Sequence, residues 1–257
     1  MAAAGRRASA EPPAARTPGD VVRGASEAPD LASLDRAISD CRACPRLVAW
    51  REEVATNRRA SFRDEEYWGR PVPGFGPSDA RIAILGLAPA AHGGNRTGRV
   101  FTGDRSGDVL FAALHRAGLA NQATSVSRAD GLRLWRTRVF AAVRCAPPEN
   151  KPTPTERDTC APWLHGELTL LRPTLRVVIA LGAFAWAAYW PAVTAVYGVA
   201  APTPRPPFGH GVRVDLSDAP SLLGCYHVSQ QNTFTGRLTP AMLDDVLSAA
   251  RAAAGVV

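Results

Sequence analysis

The alternation of apolar and polar positions divides the chain into strands and helices that take turns. Arg81-Ile-Ala-Ile-Leu-Gly is a near-continuous apolar run, the pattern of a strand buried on both faces. Arg138-Val-Phe-Ala-Ala-Val and Leu175-Arg-Val-Val-Ile-Ala-Leu read the same way, and Ser221-Leu-Leu-Gly-Cys-Tyr supplies a later strand. Helical spacing separates these runs. Val109, Leu110, Ala113, Leu114 and Ala117 share one face of a helix that Gly118 ends. Thr155 is placed to cap a helix reaching Leu171, which Pro173 closes. An apolar helix starts at Ala183, and Pro240 behind Thr239 opens the last one. Before the first strand, Asp30 is placed to cap a short helix carrying Leu31, Leu34 and Ile38. Strands alternating with helices predict a three-layer α/β/α sandwich around a mostly parallel sheet. In such sheets ligands bind beyond the carboxyl ends of the strands, so the loops that begin at Leu87, Arg144 and His227 should converge.

Two stretches lack periodicity. Residues 1–30, rich in Ala, Pro, Gly and Arg, read as a disordered tail, leaving 31–257 as one domain. Trp50 to Ser78 is charged and then rich in Pro and Gly, and is expected to be irregular surface.

Composition narrows the class. The 257 residues are 46% hydrophobic and 21% charged, which is globular and excludes wholesale disorder. Val177 to Val199, the most apolar region, is interrupted by Gly182, Pro191 and Gly198, so no membrane span is expected. Arg6 and Arg7 precede no apolar segment, so a secretory leader is not expected either, and the protein should reside in the cytosol or nucleoid. The 30 basic residues against 23 acidic ones give a net charge of +7. That balance suits a polyanionic partner, most simply nucleic acid.

The five cysteines add chemistry. Cys41 and Cys44 form a C-x2-C pair, and Cys145 and Cys160 a C-x14-C pair. In a reducing compartment such spacing points to a metal site rather than disulfides. Four thiolates suit either zinc or an iron–sulfur cluster, and spacing does not choose between them. Cys225 lies inside an apolar strand and reads as a core residue.

Three loops carry the longest motifs. The first runs Gly86-Leu-Ala-Pro-Ala-Ala-His-Gly-Gly-Asn-Arg-Thr-Gly-Arg-Val-Phe-Thr-Gly-Asp-Arg-Ser-Gly and has neither Walker-A nor dinucleotide-binding order. The second is Cys145-Ala-Pro-Pro-Glu-Asn-Lys-Pro-Thr-Pro, and the third is His227-Val-Ser-Gln-Gln-Asn-Thr-Phe-Thr-Gly-Arg-Leu-Thr. With the four cysteines, these loops resemble the family-5 (B-type) uracil-DNA glycosylases from about Cys41 onward. The resemblance implies a four-stranded parallel sheet between helices, and a [4Fe–4S] cluster on Cys41, Cys44, Cys145 and Cys160. It implies that the chain excises uracil, and other deaminated bases, from DNA; the protein is expected to be a monomer. Where the wider superfamily has an acidic or amide residue after the first glycine, this chain has Leu87 and Ala88. The resemblance therefore implies that Asp104 is the carboxylate that handles the attacking water.

Roles for the remaining residues follow from the chemistry. The target nucleotide must leave the duplex to be reached. Phe101 can stack on the extruded base, and Ala88 leaves room for it. The Asn150 amide can accept from uracil N3–H and donate to O4, a pattern that cytosine reverses. His227 can donate to uracil O2 as negative charge grows there, and Asn232 follows it in an H-x4-N spacing. Arg96, Arg99, Arg105 and Arg237 stand in or beside the loops where phosphates would pass. Gln230 to Arg237, with Phe234 near the middle, can probe the duplex and fill the gap. A cluster protein that only binds DNA or senses redox state would use the charge and cysteines, yet leave Asp104, Asn150 and His227 idle.

Overall fold

The computed structural model describes residues 14–256. In chain order the elements are α1 (Pro18–Glu27), α2 (Leu31–Asp40), α3 (Pro45–Asn57), β1 (Ile82–Gly86), α4 (Gly94–Thr97), α5 (Arg105–Arg116), β2 (Thr137–Ala141), α6 (Pro154–Leu171), β3 (Val177–Leu181), α7 (Ala183–Tyr197), β4 (Arg213–Leu216), β5 (Ala219–Cys225), α8 (Gln230–Phe234) and α9 (Pro240–Ala254). The sheet order is β2-β1-β3-β5-β4. The first four of these strands run parallel, and β4 pairs antiparallel with β5. The fifth strand goes beyond the expected four. Its Arg-Val-Asp-Leu sequence alternates exposed and half-buried positions, so it lacks the apolar run that marks the others.

Successive side chains on a strand point to opposite faces, and two cores result. Ala83, Leu85, Val178 and Ala180 face one layer, which α1, α2, α6 and α7 cover. Ile82, Ile84, Val177 and Ile179 face the other, which α5 and α9 cover. Both faces of the sheet are thus buried, giving the α/β/α sandwich. Among the described residues, no helix is long and apolar enough to cross a membrane.

Two expectations are corrected N-terminally. Residues 18–27 of the expected tail form α1, because Thr17 and Asp20 make a reciprocal capping box and Pro18 sits at the first helical position. Val21 and Ala25 then bury against α6. The first 13 residues lie outside the described residues. The stretch from Trp50 is helical through Asn57 rather than irregular, since α3 places Leu47, Val48, Arg51 and Val54 on one buried face. Arg51 breaks the apolar pattern there and hides the helix from a reading of periodicity. A smaller correction concerns α6: Thr153, not Thr155, is its cap and forms a box with Glu156.

The chain runs from β1 to β2 on one side and then returns to β3 on the other, so the strand order reverses beside β1. Crevices at such reversals, at the carboxyl ends of the strands, are where open parallel sheets bind ligands.

Candidate active site

The loop after β1 folds back over the strand end. Gly86 closes β1, and the ring of Phe101 lies so near it that a Cβ on Gly86 would sit 2.9 Å from Phe101 Cζ. Phe101 itself has a φ of 50°, a conformation uncommon for a bulky residue and often found at ligand clamps. The rings of Phe101 and His227 stand 6.0 Å apart and are inclined by 38°. His227 follows β5 and lies against Gly182 at the end of β3. Its imidazole is half-buried, and burial lowers its pKa, favouring the neutral ring. Asn232 Nδ2 donates to the His227 carbonyl at 2.8 Å. It therefore ties α8 to the strand end through one N–H of its amide.

Asp104 caps α5, with Oδ1 accepting from Gly107 N at 2.9 Å. Its Oδ2 packs on Gly93, at a spot where a Cβ would clash with it. Burial raises the Asp104 pKa, and the backbone N–H of Gly107 opposes that shift. Phe101 and His227 therefore stand together beside Gly86 and Gly182, while Asp104 rests on Gly93 within the same loop as Phe101.

The second loop comes alongside through backbone hydrogen bonds. Ala142 N donates to Gly86 O at 3.0 Å and Val143 N to Leu87 O at 2.9 Å. At its far end Asn150 is exposed, with a left-handed φ of 56°. Its amide hydrogen-bonds neither Asp104 nor His227. Ala88 is half-buried and packs on the core.

Of the four arginines expected at phosphates, two are corrected. Arg96 is buried: its guanidinium pairs with Glu65, donates to Gly103 O at 2.7 Å and His92 O at 2.8 Å, and lies over the Phe62 ring. Arg99 is buried too, forked onto Asp130 at 2.9 and 2.6 Å and bonded to Thr102 and Ser125. Burial alone would raise the Asp130 pKa, and Arg99 with three backbone N–H groups holds it well below the carboxylate range. Both arginines knit the Gly-rich loop together and cannot reach phosphate. Arg105 and Arg237 are exposed, the latter 4.7 Å over the Tyr226 ring. Gln230 is exposed, and Phe234 is 71% exposed on α8.

Cys41, Cys44, Cys145 and Cys160 line a single cavity between α1, α3, α6 and the loop after β2. Cys41 caps α2, Cys44 precedes α3, Cys145 lies past β2 and Cys160 is in α6. Burial pushes the Cys44 thiol up to about 12 and the Cys145 thiol to about 11, and it raises Cys160 as well. Among the described residues, no group of three or more His, Cys, Asp or Glu side chains closes tightly enough to hold one metal ion. Cys225 is buried in the sheet core, away from this cavity.

Two residues of this cavity escaped the sequence reading. Arg51 and Arg144 are buried beside the cysteines. Arg144 directly precedes Cys145, but adjacency does not reveal an inward side chain, and Arg51 belongs to the helix that periodicity missed. Asn95 Nδ2 bonds Arg51 O at 3.2 Å, so α3 also anchors the Gly-rich loop.

Residues 73–251 match the model of the family described as the Uracil DNA glycosylase superfamily. The chain is 59% identical over 232 residues to a type-5 uracil-DNA glycosylase of Mycobacterium tuberculosis, covering 90% of this chain and 85% of the relative. A type-5 uracil-DNA glycosylase of Thermus thermophilus is 51% identical over 227 residues, 88% of this chain and 100% of its own. A type-4 uracil-DNA glycosylase of Thermotoga maritima is 33% identical over 115 residues, 44% of this chain and 51% of its own.

Proposed function

The chain belongs to the type-5 uracil-DNA glycosylases of the uracil-DNA glycosylase superfamily, and on that premise we propose how its own residues excise uracil from DNA. The observation that carries the assignment of roles is the approach of the Phe101 and His227 rings at the carboxyl end of the sheet, with Asp104 on the same Gly-rich loop as Phe101.

A uracil swung out of the duplex enters between the loops and stacks on Phe101, a platform held in place by its close seat on Gly86. Asn150, exposed and hydrogen-bonded to none of these groups, offers its amide to N3–H and O4 and so discriminates against cytosine. As the C–N bond breaks, its electron pair leaves with uracil N1, and the sugar gains oxocarbenium character. His227, neutral because burial lowers its pKa, donates an N–H to O2 of the departing base and supports its negative charge. Asp104 then orients water toward C1′ of the sugar. The water oxygen bonds to C1′, and its proton passes to the Asp104 carboxylate, whose raised pKa suits an acceptor. The uracil anion then takes a proton from solvent, to which Asp104 returns one, so that the products are neutral uracil and an abasic site. Ala88, Ala90 and Ala91 in the first loop leave space for other deaminated bases, hypoxanthine among them.

Double-stranded DNA is the proposed substrate form, with Arg105 and Arg237 at phosphates and Gln230 and Phe234 at the gap. Incubation with a uracil-containing duplex followed by alkali tests the assignment. Cleavage at the uracil is expected, and cleavage unaffected by Asp104→Asn, His227→Ala and Asn150→Ala would overturn these three roles. A cluster protein that only binds DNA or senses redox state would leave the duplex intact.

The cysteine cavity fits a [4Fe–4S] cluster. All four thiols line it, and four thiolates are the ligand set that such a cluster takes. Two buried guanidinium groups favour an anionic occupant. When bound, the cluster supplies cross-links among α2, α3, α6 and the loop that leads to Asn150. The reaction above passes through none of its atoms.

A further inference from the structure

The cavity holds more positive charge than four cysteines require. Arg51 and Arg144 are each 1% exposed. Arg51 Nη1 lies 2.9 Å from Cys145 Sγ, and Nη2 donates to Cys41 O at 3.1 Å, yet Nε has no partner among the described residues. Arg144 donates its backbone N–H to Cys160 Sγ at 3.3 Å. Its Nη2 pairs with Glu167, while Nε and Nη1 have no partner among the described residues. Buried cationic donors without acceptors are costly, and here they border the cavity that the thiols line.

Resting on the cluster reading above, we propose that Arg51 and Arg144 are positioning residues for the cluster: they donate to its sulfur atoms, retain it, and raise its reduction potential. Four thiolates on a cubane core of about +2 leave about −2 overall, and one added electron makes it about −3. Nearby fixed cations and N–H donors stabilise the more negative state more, so they raise the potential.

Glu167 grades this effect. It is fully buried between Arg138, at 2.5 Å, and Arg144. Burial alone would raise its pKa, and the two arginines reverse that and hold it ionised. Arg138 Nη2 in turn donates to both carboxylate oxygens of Asp35, at 2.7 and 2.8 Å. The chain Asp35–Arg138–Glu167–Arg144 therefore ends on the cluster, and its last carboxylate partly offsets the charge of Arg144. Removing Arg144's charge and removing Glu167's charge should move the potential in opposite directions, which a purely architectural role would not do.

The test uses the holoprotein, with iron and acid-labile sulfide quantified first and the midpoint potential read by one-electron transfer at an electrode. Arg144→Met should lower the potential by an amount equivalent to about tenfold in the electron equilibrium, about 59 mV for one electron. Glu167→Gln should raise it, and Arg144→Lys should fall between wild type and Arg144→Met. Arg51→Met and Arg144→Met should also release iron to a chelator several-fold faster than wild type. If Arg144→Met does not fold, the Arg144→Lys and Glu167→Gln shifts, of opposite sign, still decide. Loaded variants with unshifted potentials and unchanged iron release would overturn this inference alone. Wild-type protein without iron and sulfide would overturn the cluster reading, and this inference with it.

Discussion

The Asp104 carboxylate rests directly on Gly93, in space that a side chain at that position would occupy. Because Asp104 also caps α5, the helix start and the bare glycine together fix where its free oxygen points. Gly93→Ala should push that oxygen aside while leaving the sheet intact. The expected outcome is a single-turnover rate on a uracil duplex reduced by ~10²–10⁴-fold, as for loss of a positioned acid–base group. A rate within a few-fold of wild type would mean that the water is handled elsewhere.

Asp104→Asn separates catalysis from stability. Asparagine caps a helix about as well as aspartate, so the fold keeps its Gly107 bond. A carboxyl whose folded pKa is raised above its unfolded value stabilises the fold below the unfolded pKa, and that contribution is lost as pH rises through the folded value. The substitution should therefore raise Tm at neutral pH, with the gain vanishing toward pH 4 and below. Melting curves across pH would check the sign, and turnover should fall in the same variant. For the wild type, the acid limb of the rate profile should lie above that of an ordinary aspartate, because burial raises the Asp104 pKa and Asp104 must be ionised to accept the proton.

Arg99→Ala should act on stability rather than on DNA. Removing one partner of a buried ion pair costs about 3–5 kcal/mol, and Arg99–Asp130 is such a pair. Denaturant titration should register that loss. The slope of log affinity against log salt should stay at its wild-type value, because the guanidinium never meets a phosphate.

Arg237→Ala should do the reverse. Its exposed guanidinium, seated over Tyr226, is free to meet the backbone of a duplex. The salt slope should fall by about 0.9 for each phosphate that the variant no longer neutralises. Stability should be unchanged, and an unchanged slope would place Arg237 off the DNA.

Phe234→Ala is predicted to leave Tm within about 1 °C, since an exposed side chain contributes little to the core. Binding to a duplex holding an uncleavable uracil analogue should weaken, because the ring no longer fills the space left by the extruded base. Equal affinity for the two proteins would remove Phe234 from the interface.

The sequence alone determined the layers and the ingredients of the site. Apolar runs at Ile82, Val139 and Val177 demanded strands buried on both faces, and the glycine and proline signals between them set the helix limits at Gly118 and Pro240. The cysteine spacing and the three loop motifs pointed to the family and to Phe101, Asp104, Asn150 and His227, because these residue types at loop positions have local signatures. Tertiary structure decided what each polar side chain faces. Arg96, Arg99, Arg105 and Arg237 look alike as letters, yet two are buried in the loop's framework and two reach solvent. That difference depends on partners about 30 positions away, Glu65 and Asp130. The same holds for Arg51, which interrupts the apolar face of α3 and so conceals the helix, and whose guanidinium meets Cys145 only once the chain has folded. Local periodicity records which faces are apolar, but the pairing of buried charges is a long-range outcome that no window along the chain contains.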